Sequence, residues 1–191
     1  MARQPRRFVP RLEAFDERTL PSVTVQPLTP DGTLTILGDE TANEITISDT
    51  GKNPASVIVV GDGQIFIVDG FVSRIQVFTF GGDDVVNYQL ASDLASDRTV
   101  TVDLGLGNDS FTADLNGQTF GAGRDFLVQA LGGGGKDTLT LNAVGVNIGA
   151  GTHFTIDFRG GRGRDGITFN YDPASVGELA VVILNADQKI H

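Results

Sequence analysis

Four aspartates, Asp84, Asp109, Asp137 and Asp165, sit at the ends of glycine-rich turns, and no other residues of this chain are better placed to do chemistry. The stretch Gly132-Gly133-Gly134-Gly135-Lys136-Asp137-Thr138-Leu139-Thr140 fits the nine-residue pattern G-G-x-G-x-D-x-U-x, with U a large apolar residue, at every fixed position. Gly160 to Thr168 fits it again, Leu104 to Thr112 lacks only the first glycine, and Phe80 to Val86 is a degenerate copy. Glycines let the backbone turn through φ > 0 and expose its carbonyls. An aspartate beside them adds a carboxylate, and such hard oxygen donors suit calcium. The candidate ligands are the carboxylates of Asp84, Asp109, Asp137 and Asp165 and the loop carbonyls of Gly107, Gly133, Gly135, Gly161 and Gly163, with Asp83 and Asn108 assisting through side-chain oxygens. The same aspartates serve as well as metal-free turn caps, each accepting hydrogen bonds within its own turn. Lys136, Arg162 and Arg164 lie close enough in sequence to pair with Asp137 and Asp165 in place of an ion.

These nonapeptides resemble the haemolysin-type calcium-binding (RTX) repeats, over about residues 80–171. The resemblance implies a secreted bacterial protein built as a parallel β-roll. It also implies ions between the loops of adjacent coils, each loop giving carbonyls and a carboxylate. In that family the nonapeptides run end to end, two to a coil. Here the aspartates are 25, 28 and 28 residues apart, so each long coil carries one.

Other chemistry has less support. Arg159, Arg162, Arg164, Lys136, Asp157 and His153 are the raw material for a carbohydrate-active β-helix, which needs paired carboxylates or a calcium with a basic residue. A solvated face accounts for them more simply. His153 and His191 are the only histidines, and no Ser/His/Asp pattern, phosphate loop or zinc-protease helix appears. With no cysteine there is no disulfide framework and no zinc–thiolate site. Thr33, Thr35, Thr46, Thr99, Thr101, Thr112, Thr140, Thr155 and Thr168 suit a flat strand face open to a glycan, and ordinary strand propensity explains them equally.

The charge is uneven. The chain carries −10 overall, but residues 1–20 hold five arginines and three acids, which leaves −12 on the remainder. An acidic body disfavours nucleic acid and anionic membranes and favours a cation. No apolar run is long enough for a membrane span or a secretory core. At 191 residues with 40% hydrophobic content, the chain is long and apolar enough for one domain with its own core.

The elements that must position the aspartates have period two. Thr33 to Ile36 and Glu44 to Ile47 alternate as half-buried strands do, and Gly38 to Asn43 between them reads as a worn turn with Asn43 at the aspartate position. Ser56 to Val60 and Gln64 to Val68 form a hairpin around Gly61-Asp62-Gly63, inserted in the first coil. Two residues after the aspartates stand Val86, Phe111, Leu139 and Ile167; four after stand Tyr88, Ala113, Leu141 and Phe169; six after stand Leu90, Leu115, Ala143 and Tyr171. Columns that agree in this way predict stacked coils. Only Leu90 to Ser96 has room for a helical turn, and Glu178 to Leu184 reads as a last strand before Asn185 to Lys189, which looks like another loop cut short.

The expected fold is therefore all-β, a parallel β-solenoid with coils of about 25–28 residues over residues 31–191, behind a disordered leader at residues 1–30. Within that leader, Phe8 to Ser22 resembles the address segment at the start of surface and secreted proteins of planctomycete-type bacteria. The expected function is a secreted or cell-surface, non-catalytic calcium-binding module, a scaffold or adhesin-like repeat facing a surface glycan or protein. Two alternatives stay open: a metal-free solenoid that self-associates through its open ends, and a carbohydrate-active enzyme.

Overall fold

The computed structural model describes residues 22–172 and the strand at 179–183. Those residues contain no helix and form a parallel β-solenoid. One seven-stranded sheet, sheet A, runs β1 (Thr24–Val25), β2 (Thr33–Leu37), β6 (Arg74–Phe78), β8 (Arg98–Asp103), β11 (Asp125–Gly134), β14 (His153–Arg162) and β16 (Leu179–Ile183). The other seven-stranded sheet, sheet B, runs β15 (Gly166–Tyr171), β12 (Thr138–Ala143), β9 (Ser110–Asp114), β7 (Val85–Leu90), β3 (Glu44–Asp49), β4 (Ala55–Gly61) and β5 (Gln64–Gly70). Each coil crosses from sheet A to sheet B through a short glycine corner and returns through a longer one. In the longer corner β10 (Thr119–Phe120) pairs with β13 (Asn147–Ile148).

The period-two pattern builds this directly. Alternate residues of β2, β8 and β9 are buried, and the buried set lies between the two sheets. Pairing follows the expected columns: Val86, Phe111, Leu139 and Ile167 are register partners in turn, as are Tyr88, Ala113, Leu141 and Phe169. Ile45 and Ile47 extend both columns into the first coil. The facing columns on sheet A include Leu34, Ile75, Val100, Val128 and Ile156. Phe120, Phe126 and Phe154 fill the long corner, with ring centroids 5.1 Å apart for Phe120–Phe126 and for Phe120–Phe154. Each such side chain removed from water contributes about 1.5–3 kcal/mol.

Three expectations need adjustment. The body begins before residue 31: Val23 is in the core and β1 pairs antiparallel with β2. Pro27 and Pro30 fall between β1 and β2, where a missing N–H costs no ladder bond. Residues 1–21, with most of the address segment, and residues 184–191 lie outside the described residues. The segment from Leu90 to Ser96 forms no helical turn; Leu94 makes a bridge to Phe120 instead. The hairpin is present, but it extends sheet B beyond β3 and closes the start of the stack with antiparallel strands.

One feature of the core left no periodic signal. Asp49 stands in the column of Leu90, and Arg98 in that of Phe126 and Phe154, both at apolar positions. They meet across the two sheets. Arg98 Nε donates to Asp49 Oδ2 at 2.7 Å, and both side chains are fully buried. The Tyr88 hydroxyl and the Gly51 amide also donate to Asp49, and Arg98 Nη2 donates to the Lys52 carbonyl. Removing one partner strands the other charge. Asp49→Ala is expected to cost about 3–5 kcal/mol in urea melts, and more than the double change Asp49→Leu with Arg98→Met. A double variant that is the weaker of the two would show that the pair itself stabilises the fold.

Candidate functional site

The aspartates are gathered at the short corner, where one loop stacks on the next. Asp84 ends the turn before β7, Asp109 that before β9, Asp137 that before β12 and Asp165 that before β15. The coils are one strand spacing apart, about 4.8 Å. At that spacing each carboxylate reaches the backbone of the preceding coil. Asp84 Oδ1 accepts the Asn43 amide (2.8 Å), Asp109 Oδ1 the Asp84 amide (2.8 Å), Asp137 Oδ1 the Asp109 amide (3.0 Å) and Asp165 Oδ1 the Asp137 amide (3.0 Å). The result is a ladder in which each rung joins two coils. Asn43 holds the first position, as its place in the worn turn predicts, and its Oδ1 accepts the Asp39 amide.

The caps expected within each turn are thus bonds between turns. A second, exposed column runs outside the first in the opposite sense. Asp83 Oδ1 accepts the Asn108 amide, and Asn108 Oδ1 accepts the Lys136 amide. Asp83 and Asn108 therefore sit beside the inner ladder and not within it, and Lys136 projects outward with them.

Glycine is required by the closeness of the loops. A Cβ on Gly107, Gly135 or Gly163 would stand 1.7, 1.8 or 1.5 Å from the carbonyl oxygen of Gly82, Gly107 or Gly135 on the preceding coil. The carbonyls of Gly107 and Gly135 thus lean on the next coil's Cα, and that of Gly133 lies likewise 2.2 Å from where a Cβ of Gly161 would be. Gly105 O and Gly134 O take amides from Gly134 and Gly107.

The second oxygens of the inner ladder are the unusual atoms. Asp84 Oδ2, Asp109 Oδ2 and Asp137 Oδ2 are buried and have no hydrogen-bond partner. Burial raises the carboxyl groups of Asp84 and Asp137 above the ordinary 3.8 and that of Asp109 to about 6. The accepted amides oppose this rise, as does the Thr79 hydroxyl beside Asp84, and neighbouring carboxylates add to it. The donor chemistry, carboxylate with backbone carbonyl, fits a hard cation. Among the described residues no three acidic or histidine side chains converge. An ion in the ladder would therefore have at most two carboxylates and draw its other oxygens from carbonyls and water.

Arg159 and His153 fall away from the ladder. Arg159 clasps Asp157 through two bonds of 2.9 and 2.8 Å on sheet A, and Gln129 donates to the same carboxylate. His153 Nδ1 lies 2.8 Å from Asp125 at the far end of β14, on an exposed surface. Arg162 and Arg164 are exposed at the last corner. Thr46, Thr112, Thr140 and Thr168 share one outer column of sheet B, interrupted by Asn87. The Asp49–Arg98 pair and the orphaned oxygens were not foreseen; the only signal for the former was an acid in an apolar column.

Compared with protein-family models, curated proteins and solved structures, the chain finds no match.

Two outcomes follow from this geometry. Gly135→Ala must push two backbones apart and should cost clearly more than Gly117→Ala, where φ is +70° but no atom lies within 4 Å of the added carbon. The latter carries only the left-handed penalty of about 1–2 kcal/mol, and equal losses in chemical melts would contradict the close stacking. The second outcome concerns pH. A carboxyl raised in the folded state holds its proton better there than in the unfolded chain. Its contribution is fully present below 3.8 and is lost as pH rises through about 6. Asp157, held low by Arg159, acts oppositely and loses its contribution as pH falls below 3.8. In chelator, stability should rise as pH drops from neutral to about pH 4 and then fall. Asp109→Asn should flatten the rise; an unchanged slope would mean that other groups cause it.

Proposed function

We propose that this chain is a non-catalytic β-solenoid module of the secreted or surface class, a rigid scaffold whose aspartate ladder takes up calcium. The observation that carries this is the line of three buried, unpartnered carboxylate oxygens, Asp84, Asp109 and Asp137, in a body of net −12. Two ionised carboxylates one coil apart repel by about 3 kcal/mol at an effective dielectric near 20. The amides on Oδ1 offset part of this, and a divalent ion between rungs offsets the rest. Asp84, Asp109, Asp137 and Asp165 would hold it, with loop carbonyls, those of Gly107, Gly133, Gly135, Gly161 and Gly163 among them, as the further donors. Bound calcium would bridge adjacent coils and turn binding free energy into folding free energy. The acidic body and the resemblance to calcium-binding repeats support the secreted or surface setting, and a surface glycan or protein is the partner that suits such a scaffold.

A second reading draws on a different observation. Every Oδ1 already receives an amide from the coil before, so the ladder can hold the stack without metal. In that case the module is a metal-free structural solenoid.

Melting in calcium against melting in EDTA separates them. A site filled at a hundredfold excess over its Kd adds about 2.7 kcal/mol. Asp137 borders two carboxylate gaps, and Asp84 borders one, since its other neighbour is Asn43. Asp137→Ala should therefore lose more of the calcium-dependent rise than Asp84→Ala. Identical curves in calcium and EDTA would leave the metal-free solenoid standing; equal losses in the two variants would place the ion outside the ladder.

A further inference from the structure

The two ends of the stack are stepped, and the steps match. At the start, sheet B runs two strands past β3 and sheet A one strand past β2. At the other end, among the described residues, sheet A continues one strand past β14, to β16, while sheet B ends at β15. Both sheets count seven strands, so the projection at one end fills the recess at the other. Strand direction agrees as well. The two antiparallel pairings β3–β4 and β4–β5 return β5 to the direction of β3, which is also that of β15.

Register agrees too. Gln64 is level with Ile45 through Gly61, and Ile45 with Ile167 through the shared column. Counting on, Phe66 would lie over Phe169 and Val68 over Tyr171 on the inner face. On the outer face Ile65 would lie over Thr168 and Ile67 over Asn170. Among the described residues β5 pairs only with β4, and β15 only with β12. Edge strands are usually blunted by lysine, proline or a bulge. β5 has neither lysine nor proline and a single charge, Asp69 near its end, and its Ile65 and Ile67 are 69% and 66% exposed. At the other edge Tyr171, in an inward column, is 49% exposed.

Charge chooses the polarity. The first corner carries Asp39, Glu40 and Glu44, and the Asp62 turn folds onto it, with Asp62 accepting the Glu44 amide. No basic residue stands in 38–44 or 61–64. The last corner presents the exposed Arg162 and Arg164. Joining start to end sets the acidic Asp62 turn, which links β4 and β5, over Arg162 and Arg164, with Asp39, Glu40 and Glu44 two strands further back.

We propose that a second copy of this chain stacks head to tail on the first, with β5 of one copy pairing in parallel with β15 of the other. Such a contact uses different surfaces on the two copies and does not close, so it propagates into a filament. It depends on the solenoid alone and stands whether or not the aspartate ladder takes calcium.

The test uses the full chain in EDTA, with sedimentation velocity across the micromolar to millimolar range. One variant blocks the start (Ile65→Lys with Ile67→Lys). Another blocks the end (Arg162→Glu, Arg164→Glu and Asn170→Lys). All five positions are exposed, and an unchanged strand spectrum checks each fold. The unaltered chain should grow past dimer as concentration rises, each variant alone should stay monomeric, and their mixture should give a dimer and nothing larger. Dimers from the end-blocked variant alone would mean start-to-start pairing, dimers from the start-blocked variant alone would mean end-to-end pairing, and either overturns the proposal. An unaltered chain that stays monomeric throughout also overturns it. Slow amide exchange along β15 in that monomer would identify the chain's own later residues as the cover.

Discussion

Coils spaced at one strand repeat dictate most of this structure. At about 4.8 Å a corner has no room for side chains between successive backbones. Each corner amide must also find an acceptor on a neighbouring coil or go unsatisfied. Glycine answers the first demand, since a Cβ at Gly107, Gly135 or Gly163 would overlap a carbonyl of the coil before. Aspartate answers the second. Its short side chain places Oδ1 within 2.8–3.0 Å of the preceding coil's amide, continuing the sheet's hydrogen bonding around the bend. The apolar columns on either side are aligned by this corner, and their burial supplies the free energy that holds it closed.

Buried charge is handled in two ways. Asp49 and Arg98 neutralise each other, and Tyr88, Gly51 and Lys52 complete most of their hydrogen bonds. Asp84, Asp109 and Asp137 have no basic partner of this kind among the described residues, and each leaves one oxygen buried and unbonded. The first arrangement is charge-neutral and structural, with only Arg98 Nη1 left unbonded. The second is incomplete without a proton or a cation, which is why the functional proposal rests there.

The fold was largely legible in the sequence because its determinants are local. The alternation in Thr33 to Ile36 and the columns from Val86 to Ile167 need only a period and a repeat to be read, and the register partners follow them. The corner aspartates were legible as a group for the same reason. What they bond to was not, because an acceptor reaching the amide 25 or 28 residues earlier depends on how closely the coils settle. Asp49 and Arg98 were hidden for a similar cause. They are 49 residues apart in different strands, and no periodicity links them. The start of the body was misplaced because Pro27 and Pro30 suggest disorder, whereas Val23 reaches the core just ahead of a strand of only two residues.

On charge alone asparagine is the simpler ladder residue, since its Oδ1 accepts an amide without adding charge. The first rung shows what that choice requires. Asn43 is buried, and its Nδ2 finds Asp39 Oδ1 at 3.4 Å and Asp62 Oδ2 at 3.3 Å, acceptors supplied by the end of the stack. Deeper rungs have no such neighbours. Beside Asp137 Oδ2 lies the Cα of Gly132, so close that a Cβ there would stand 2.5 Å from the oxygen. An amide nitrogen in that place would bury two donors that both need a loop carbonyl, at a cost of about 1–3 kcal/mol for each one left unmet. A carboxylate buries one lone acceptor instead, and that acceptor can be met by a proton at low pH or a cation at neutral pH. The interior rungs thus accommodate an acid better than its amide, and the residue that fits the corner is also the one that makes it responsive to what the solvent supplies.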